Sequence, residues 1–364
     1  MLSRRDFLKS SMLTAGAFFI RPGKILQSFN TQWDINAQLG RNCSGGMITM
    51  RAKPSIDSVK IKDLYEDEVV VWNREVIGTA PLGVLSRRWV ETPEGYLYAP
   101  NVQPVRNNPN EPLTNLPTTS EGTGMWAEVT VPFVDLILEK APASPWLKEY
   151  QETGQQPRLY YSQVMWIDGV SQNDQGQLMY HVNEKYGSYG DTFWADARAF
   201  RQLTDEELLP INPDATDKRI VVHLNYQTLS CYEGNNEVYF CRVSTGAKFD
   251  AEGNVVEKWA TPIGPHQPWR KVISIHMAGG STGSGWDTPG IAWTMLFDKD
   301  GAAIHSTFWH NDFGTPRSHG CVNARPEDAK WIFRWSLPQV LTDPGNYDIS
   351  GPVGTVVDVV ENRA

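Results

Sequence analysis

Apolar and polar residues alternate with a period of two in short runs along most of the chain, and Gly, Pro, Asn and Asp punctuate the runs. That pattern predicts strands and turns rather than helices. Between 38 and 107 the runs are Ile48-Thr49-Met50, Glu68-Val69-Val70-Val71-Trp72, Trp89-Val90-Glu91-Thr92 and Gly95-Tyr96-Leu97-Tyr98, a small all-β unit. A Pro/Asn/Thr-rich stretch at 108–124 reads as a linker. Residues 125–205 return to strands at 126–131, 160–166, 175–182 and 193–195, and Thr204 with Glu207 forms a capping-box pattern that starts a short helix or turn. From 217 the strand 219–224 leads into a hairpin, 227–232 with 238–243, around Gly234-Asn235-Asn236. A helical period with aromatics on one side occurs at 326–335, and 356–360 closes the chain as a strand. The fold class is mainly β with short helices.

Composition agrees. The 364 residues suggest two or three domains, and 40% hydrophobic with 21% charged residues is ordinary globular material. Fourteen Trp, 24 Pro and 30 Gly favour turn-rich β structure. A net charge of −9 without a basic stripe argues against nucleic acid as a partner.

The candidate chemistry is concentrated at 304–330, which holds His305, His310, His319 and Cys321. A cysteine close to histidine has what a thiolate nucleophile needs, because an imidazole lowers the thiol pKa and takes its proton. Gly320, just before the sulfur, leaves room for backbone N–H groups to face an oxyanion. The residues alone leave two alternatives: a small buried hydrophobe at Cys321, and a zinc site, which the absence of two- to four-residue ligand spacing disfavours.

Ile304-His305-Ser306-Thr307, Gly314-Thr315-Pro316-Arg317 and Ser318-His319-Gly320-Cys321-Val322-Asn323 together resemble the signature of L,D-transpeptidases of the YkuD type. Val243-Ser244-Thr245-Gly246 and Thr261-Pro262-Ile263-Gly264 extend the resemblance across the final domain, 217–361. It implies a β-sandwich of two mixed sheets with Cys321 as nucleophile, His305 as its base and the 319–321 backbone as the oxyanion site. His319 and Ser306 also stand at family motif positions. Asn323 stands where many members carry Arg, and a subgroup has His-Ser and Asn at these two places. Ser318 and Asn323 beside the cysteine, with Trp293 and Trp309 flanking the cleft, are the expected substrate contacts. The Gly-rich stretch 278–286 corresponds to a region that covers the active site in that family, a lid that limits water. Among the other histidines, His181, His223 and His266 read as structural.

The unit at 38–107 resembles bacterial SH3-like domains of exported wall enzymes, and a shared plan (a strand ending in Trp, a turn, then Gly-x-Leu-x-Tyr) hints at a second SH3-like unit at 125–205. One or two small SH3-like β-barrels therefore precede the sandwich, with cell-wall contact as their expected role. Ser3-Arg4-Arg5-Asp6-Phe7-Leu8-Lys9 followed by the apolar run 12–20 matches a twin-arginine signal, so 1–30 is a targeting segment. No convincing cleavage site follows, which leaves an uncleaved membrane tether open. Export places the protein in the periplasm or at the outer face of the membrane and wall. Cys231 and Cys241 flank the hairpin turn and are candidates for a disulfide; Cys43 has no evident partner.

The expectation is an exported cysteine acyltransferase that cross-links peptidoglycan stem peptides and needs no metal or organic cofactor. A cysteine L,D-carboxypeptidase on the same stems and a non-catalytic wall-binding protein are the alternatives.

Overall fold

The computed structural model describes residues 35, 37–80, 84–247, 254–256, 259–279 and 286–361. Residues 1–30, read from the sequence as a targeting segment, and 280–285 of the Gly-rich stretch lie outside the described residues. Among the described residues no helix is long and apolar enough to cross a membrane.

The first unit consists of two antiparallel sheets. One has Leu39–Asn42 between Val69–Val71 and Val102–Val105; the other runs Lys60–Leu64, Ile48–Arg51, Tyr96–Tyr98, Arg88–Glu91, Arg74–Ile77. Alternation along Ile48–Arg51 points Ile48 and Met50 into a core with Leu64, Trp72, Val90, Leu97 and Val102. The second unit is a six-stranded sheet ordered Ile137–Leu138, Thr192–Asp196, Leu178–Asn183, Val164–Gln172, Met125–Val129, Phe200–Gln202, with a small ribbon, Phe133–Asp135 paired to Arg158–Tyr160, and a helix, Pro145–Thr153. Both units close alike: a short 3-10 turn, Ala99–Asn101 or Ala197–Ala199, delivers the last strand to pair antiparallel with the first. The stretch read as a linker is partly structured, since Thr118–Thr119 and Gly122–Thr123 form a ribbon.

The third unit is a sandwich of two mixed five-stranded sheets, which matches the sequence expectation. One is Asn236–Arg242, Thr228–Glu233, Lys218–His223, Val356–Val360, Gly264–His266; the other is Val322–Ala324, Ala303–Ser306, Trp286–Leu296, Arg270–Gly279, Asn346–Asp348. Each contains one parallel pair, Lys218–His223 with Val356–Val360 and Ala303–Ser306 with Val322–Ala324. Ile220, Val222, Leu229 and Val357 from the first sheet share a core with Ile273, Met295, Ile304 and Val322 from the second.

The helix Pro326–Trp335 follows the last of these strands directly. Pro sits at its start and Glu327 and Asp328 in its first turn, where they complement the dipole. It buries Ala329, Ile332, Phe333 and Trp335 against the sandwich. Two lysines satisfy carbonyls at its C-terminal end. Lys271 Nζ donates to the carbonyls of Phe333, Ser336 and Pro338, each at 2.7 Å, and Lys218 Nζ to Trp335 at 2.9 Å. The strand that leads away from the cysteine is thereby backed by a rigid element.

Cys231 and Cys241 are free thiols, not a disulfide. The hairpin register explains why: Cys231 faces Tyr239 and Cys241 faces Leu229, so the two are diagonal, not opposed. Cys43 is free and buried, and burial pushes its thiol up to about 11.

Candidate active site

The parallel pairing of Ala303–Ser306 with Val322–Ala324 builds the site. Its register sets Ile304 against Val322, His305 against Asn323 and Ser306 against Ala324. Cys321 enters this ladder one residue before Val322, and its Sγ lies 3.8 Å from the Gly301 carbonyl oxygen. Residues paired across a parallel ladder share a face, so Asn323 and His305 belong to one side of the sheet, and Cys321 stands at the start of the Asn323 strand.

His305 is buried, and its Nδ1 lies 2.8 Å from the Ser306 carbonyl oxygen. Only a protonated Nδ1 can make that bond, which leaves Nε2 as the basic nitrogen. Burial holds the ring down to about 4, and the Ser306 carbonyl pulls weakly the other way. Burial also pushes the Cys321 thiol up to about 11. The sequence suggested a lowered thiol pKa; desolvation instead favours the neutral thiol at half-buried Cys321 and the neutral imidazole at buried His305. Ser306 takes part through its backbone carbonyl.

Gly320 has φ of +118°, a conformation that a side chain would strain. Its N–H donates to Ser318 Oγ at 3.2 Å, and Ser318 Oγ donates to the Cys321 carbonyl. One of the three amides expected at the oxyanion site is therefore already engaged, and Ser318 shapes the turn from within, 7% exposed.

His319 lies between two indoles. Trp259 meets it edge-on at 4.5 Å and Trp286 stacks on it at 4.6 Å. Trp286 starts the strand Trp286–Leu296, which pairs with Arg270–Gly279, and lies across Gly279, where a Cβ would come within 2.5 Å of the indole. Trp309 packs against His305 with ring centres 5.8 Å apart. Trp293, expected beside the cleft, is in the core: it is 2% exposed and packs on Phe333 and beneath Lys330 Nζ. The two Trp residues differ because Trp293 lies within the long strand Trp286–Leu296 and Trp309 on the connection beyond Ser306.

Asn323 is 1% exposed and its side-chain amide lies 3.1 Å from His310 Nε2. His310 was in the histidine cluster without an assigned role; its Nδ1 accepts the Asp312 N–H at 3.1 Å.

Two features escaped sequence reasoning. His276 lies on the strand Arg270–Gly279 and bonds Glu184 of the second unit through Nδ1 and Asp287 through Nε2. Glu184 is distant in sequence, and nothing local in the apolar run 272–277 marks the pairing. Arg41, in the first unit, donates to the Phe308 carbonyl, again with no local signal. Among the described residues no group of three or more His, Cys, Asp or Glu side chains is arranged to hold a metal ion.

Residues 217–359 match the YkuD family, the L,D-transpeptidase catalytic domain. The matched span is the sandwich that carries His305 and Cys321, under half of the chain. No curated protein matches the sequence at a significant level. Among solved structures, a mutant of the Enterococcus faecium L,D-transpeptidase is 22% identical, covering 41% of this chain and 51% of that one with a TM-score of 0.31. The catalytic domain from the E. faecium L,D-transpeptidase is 23% identical over 40% of this chain and 97% of that one, TM-score 0.31. An L,D-transpeptidase from Mycobacterium smegmatis is 12% identical over 53% and 99%, TM-score 0.31. The chain spans about half the length of the first solved structures it matches.

Proposed function

We propose that this protein is an exported L,D-transpeptidase that joins peptidoglycan stem peptides through a thioester on Cys321. The observation that carries the reading is His305: its Nδ1–H is committed to the Ser306 carbonyl, and the ladder aligns its strand with the one that begins beside Cys321. That arrangement suits a base that takes a proton at Nε2 only when chemistry requires it.

In this reading Cys321 Sγ attacks the carbonyl between the diamino acid of a stem and its terminal D-residue, and the thiol proton passes to His305 Nε2. The amides flanking Gly320 receive the oxyanion. The C–N bond breaks, His305 returns the proton to the departing amine, and Cys321 keeps the acyl group as a thioester. A side-chain amine from a neighbouring stem then attacks the thioester and gives up its proton to His305, the C–S bond breaks, and His305 passes that proton to the departing sulfur, restoring the Cys321 thiol. The rings of Trp259 and Trp286 on His319, and of Trp309 on His305, favour transfer over hydrolysis by limiting water.

Export by the twin-arginine route puts the enzyme beside its substrate, outside the cytoplasm, with the uncleaved signal as a tether and the N-terminal units as SH3-like modules in contact with the wall. Lysine at both Arg4 and Arg5 tests export: accumulation in the cytoplasm is expected, and undiminished export overturns it. The activity is tested by supplying a stem tetrapeptide with an amine acceptor. A joined product that depends on Cys321 is expected; free tripeptide as the sole product would make the protein a carboxypeptidase.

A further inference from the structure

The connection 307–321 links the base strand to the cysteine and is held at its two halves by different parts of the molecule. Its second half is tied to its own domain. Ser244 Oγ donates to the Asp312 carbonyl at 2.9 Å, Gly314 N to Val243 at 2.9 Å, and the N–H groups of Arg317 and Ser318 to Thr245 at 2.9 and 3.1 Å. Its first half carries Trp309 against His305 and His310 against Asn323, and this half is tied to the N-terminal unit. Arg41 Nη2 donates to the Phe308 carbonyl at 3.0 Å. Asn311 donates through its backbone to Pro100 at 2.9 Å and through Nδ2 to Ala99 at 3.3 Å, and Arg88 donates to the Asn311 carbonyl.

Arg41 is 2% exposed, and its guanidinium is oriented from every side. Nε and Nη2 donate to Gln103 Oε1 at 3.0 and 2.8 Å, and Nη1 to Asp67 Oδ1 at 2.6 Å. Its plane covers the Tyr160 ring at 4.0 Å, and Tyr160 stacks on Phe308 with ring centres 5.7 Å apart. Asp67 is held in turn by Arg158 Nη1 at 2.9 Å. A buried ion pair is a poor way to add stability, because desolvation offsets most of the attraction. What a fixed planar fork adds is geometry at the carbonyl it holds. Displacing catalytic groups by about 1 Å costs up to roughly a hundredfold in rate.

We propose that Arg41 is a positioning residue for the transfer reaction. From the N-terminal unit it fixes the Phe308 carbonyl, and so holds Trp309 against His305 and His310 against Asn323. The N-terminal unit is then part of the catalytic machine and not only an appended module. The inference rests on the acyl-transfer reading above.

The test uses the whole chain with Arg41→Met, Arg41→Lys and, as a control, Arg158→Met, which breaks the same network at Asp67 without touching the connection. Both Arg41 variants should lower kcat by about ten- to a hundredfold with KM within about twofold. They should also alter the pH profile of Cys321 alkylation by iodoacetamide. Arg158→Met acts on Arg41 only through Asp67, so it should lower the thermal midpoint and cost clearly less in kcat than either Arg41 variant. If Arg41→Met does not fold, Arg41→Lys and Tyr160→Leu carry the test with the same expected fall. Wild-type turnover in folded Arg41 variants, or an equal loss in Arg158→Met, overturns the inference. Retained turnover in Cys321→Ala is a different result: it overturns the acyl-transfer reading and this inference with it.

Discussion

His310 and Asn323 meet 3.1 Å apart, through Nε2 of the imidazole and the side-chain amide. His310 Nδ1 accepts the Asp312 N–H, so the proton of the neutral ring is on Nε2, which donates. An amide NH2 cannot accept it. Nδ2 of Asn323 is the atom placed against this nitrogen, so the hydrogen bonds require the amide turned by 180°, with Oδ1 accepting the Nε2 proton and Nδ2 facing the side where Oδ1 has no partner. This places an ordered, neutral histidine behind the residue that faces His305 across the ladder.

His310→Leu removes that partner and leaves the Asn323 amide buried without it. The expected loss is about 1–3 kcal/mol of stability, measured by denaturant unfolding. No change in the unfolding midpoint would contradict the pairing.

The acid stability of the protein should reflect the two buried rings. Burial holds His305 down to about 4 and His310 well below the ordinary 6.5. The unfolded chain binds protons first, so this contribution is complete above 6.5 and lost as pH falls toward 4. His276 acts oppositely. Burial lowers it, but Glu184 and Asp287 outweigh burial and raise it, so its contribution is present below 6.5 and lost as pH rises through its folded value. Thermal melts across pH should show His310→Gln flattening the acid limb and His276→Gln flattening the alkaline side. Unchanged profiles would contradict both assignments.

The resting thiol should react as a thiol. Iodoacetamide alkylation of Cys321 should rise with pH toward a midpoint near 11, while the acid limb of kcat follows His305 near 4. On the proposed mechanism catalysis proceeds where free thiolate is scarce, with His305 removing the proton during attack. An alkylation midpoint at or below the ordinary thiol value of 9.0 would indicate a preformed thiolate pair instead.

Much of the third unit was legible because its signals are local. Alternation marks the strands, Pro326 and the aromatic period mark the helix, and the motif residues from His305 to Asn323 lie in one stretch. Thr204 and Glu207 do form the capping box, with Glu207 N–H donating to Thr204 Oγ1 at 3.4 Å. Trp293 was misread because an aromatic beside the motif looks alike whether it faces inward or outward, and only packing on Phe333 decides. Arg41, Glu184 and His276 were illegible because their roles arise from partners far away in sequence. A buried arginine that donates to Phe308 looks, in sequence, like any surface arginine.

His305→Ala should cut acylation by about two to four orders of magnitude, the range for removing a general base. Single-turnover release of the terminal residue measures it. A loss under about tenfold would move the base role to another group.

The most direct measurement is intact-mass spectrometry of the purified protein, incubated with a carbapenem and separately with a stem tetrapeptide plus an amine acceptor. The account predicts a covalent adduct that maps to Cys321 in both reactions, loss of the terminal D-residue, a joined product, and no adduct in Cys321→Ala. An adduct at another residue, or none with either ligand on folded protein, would contradict it.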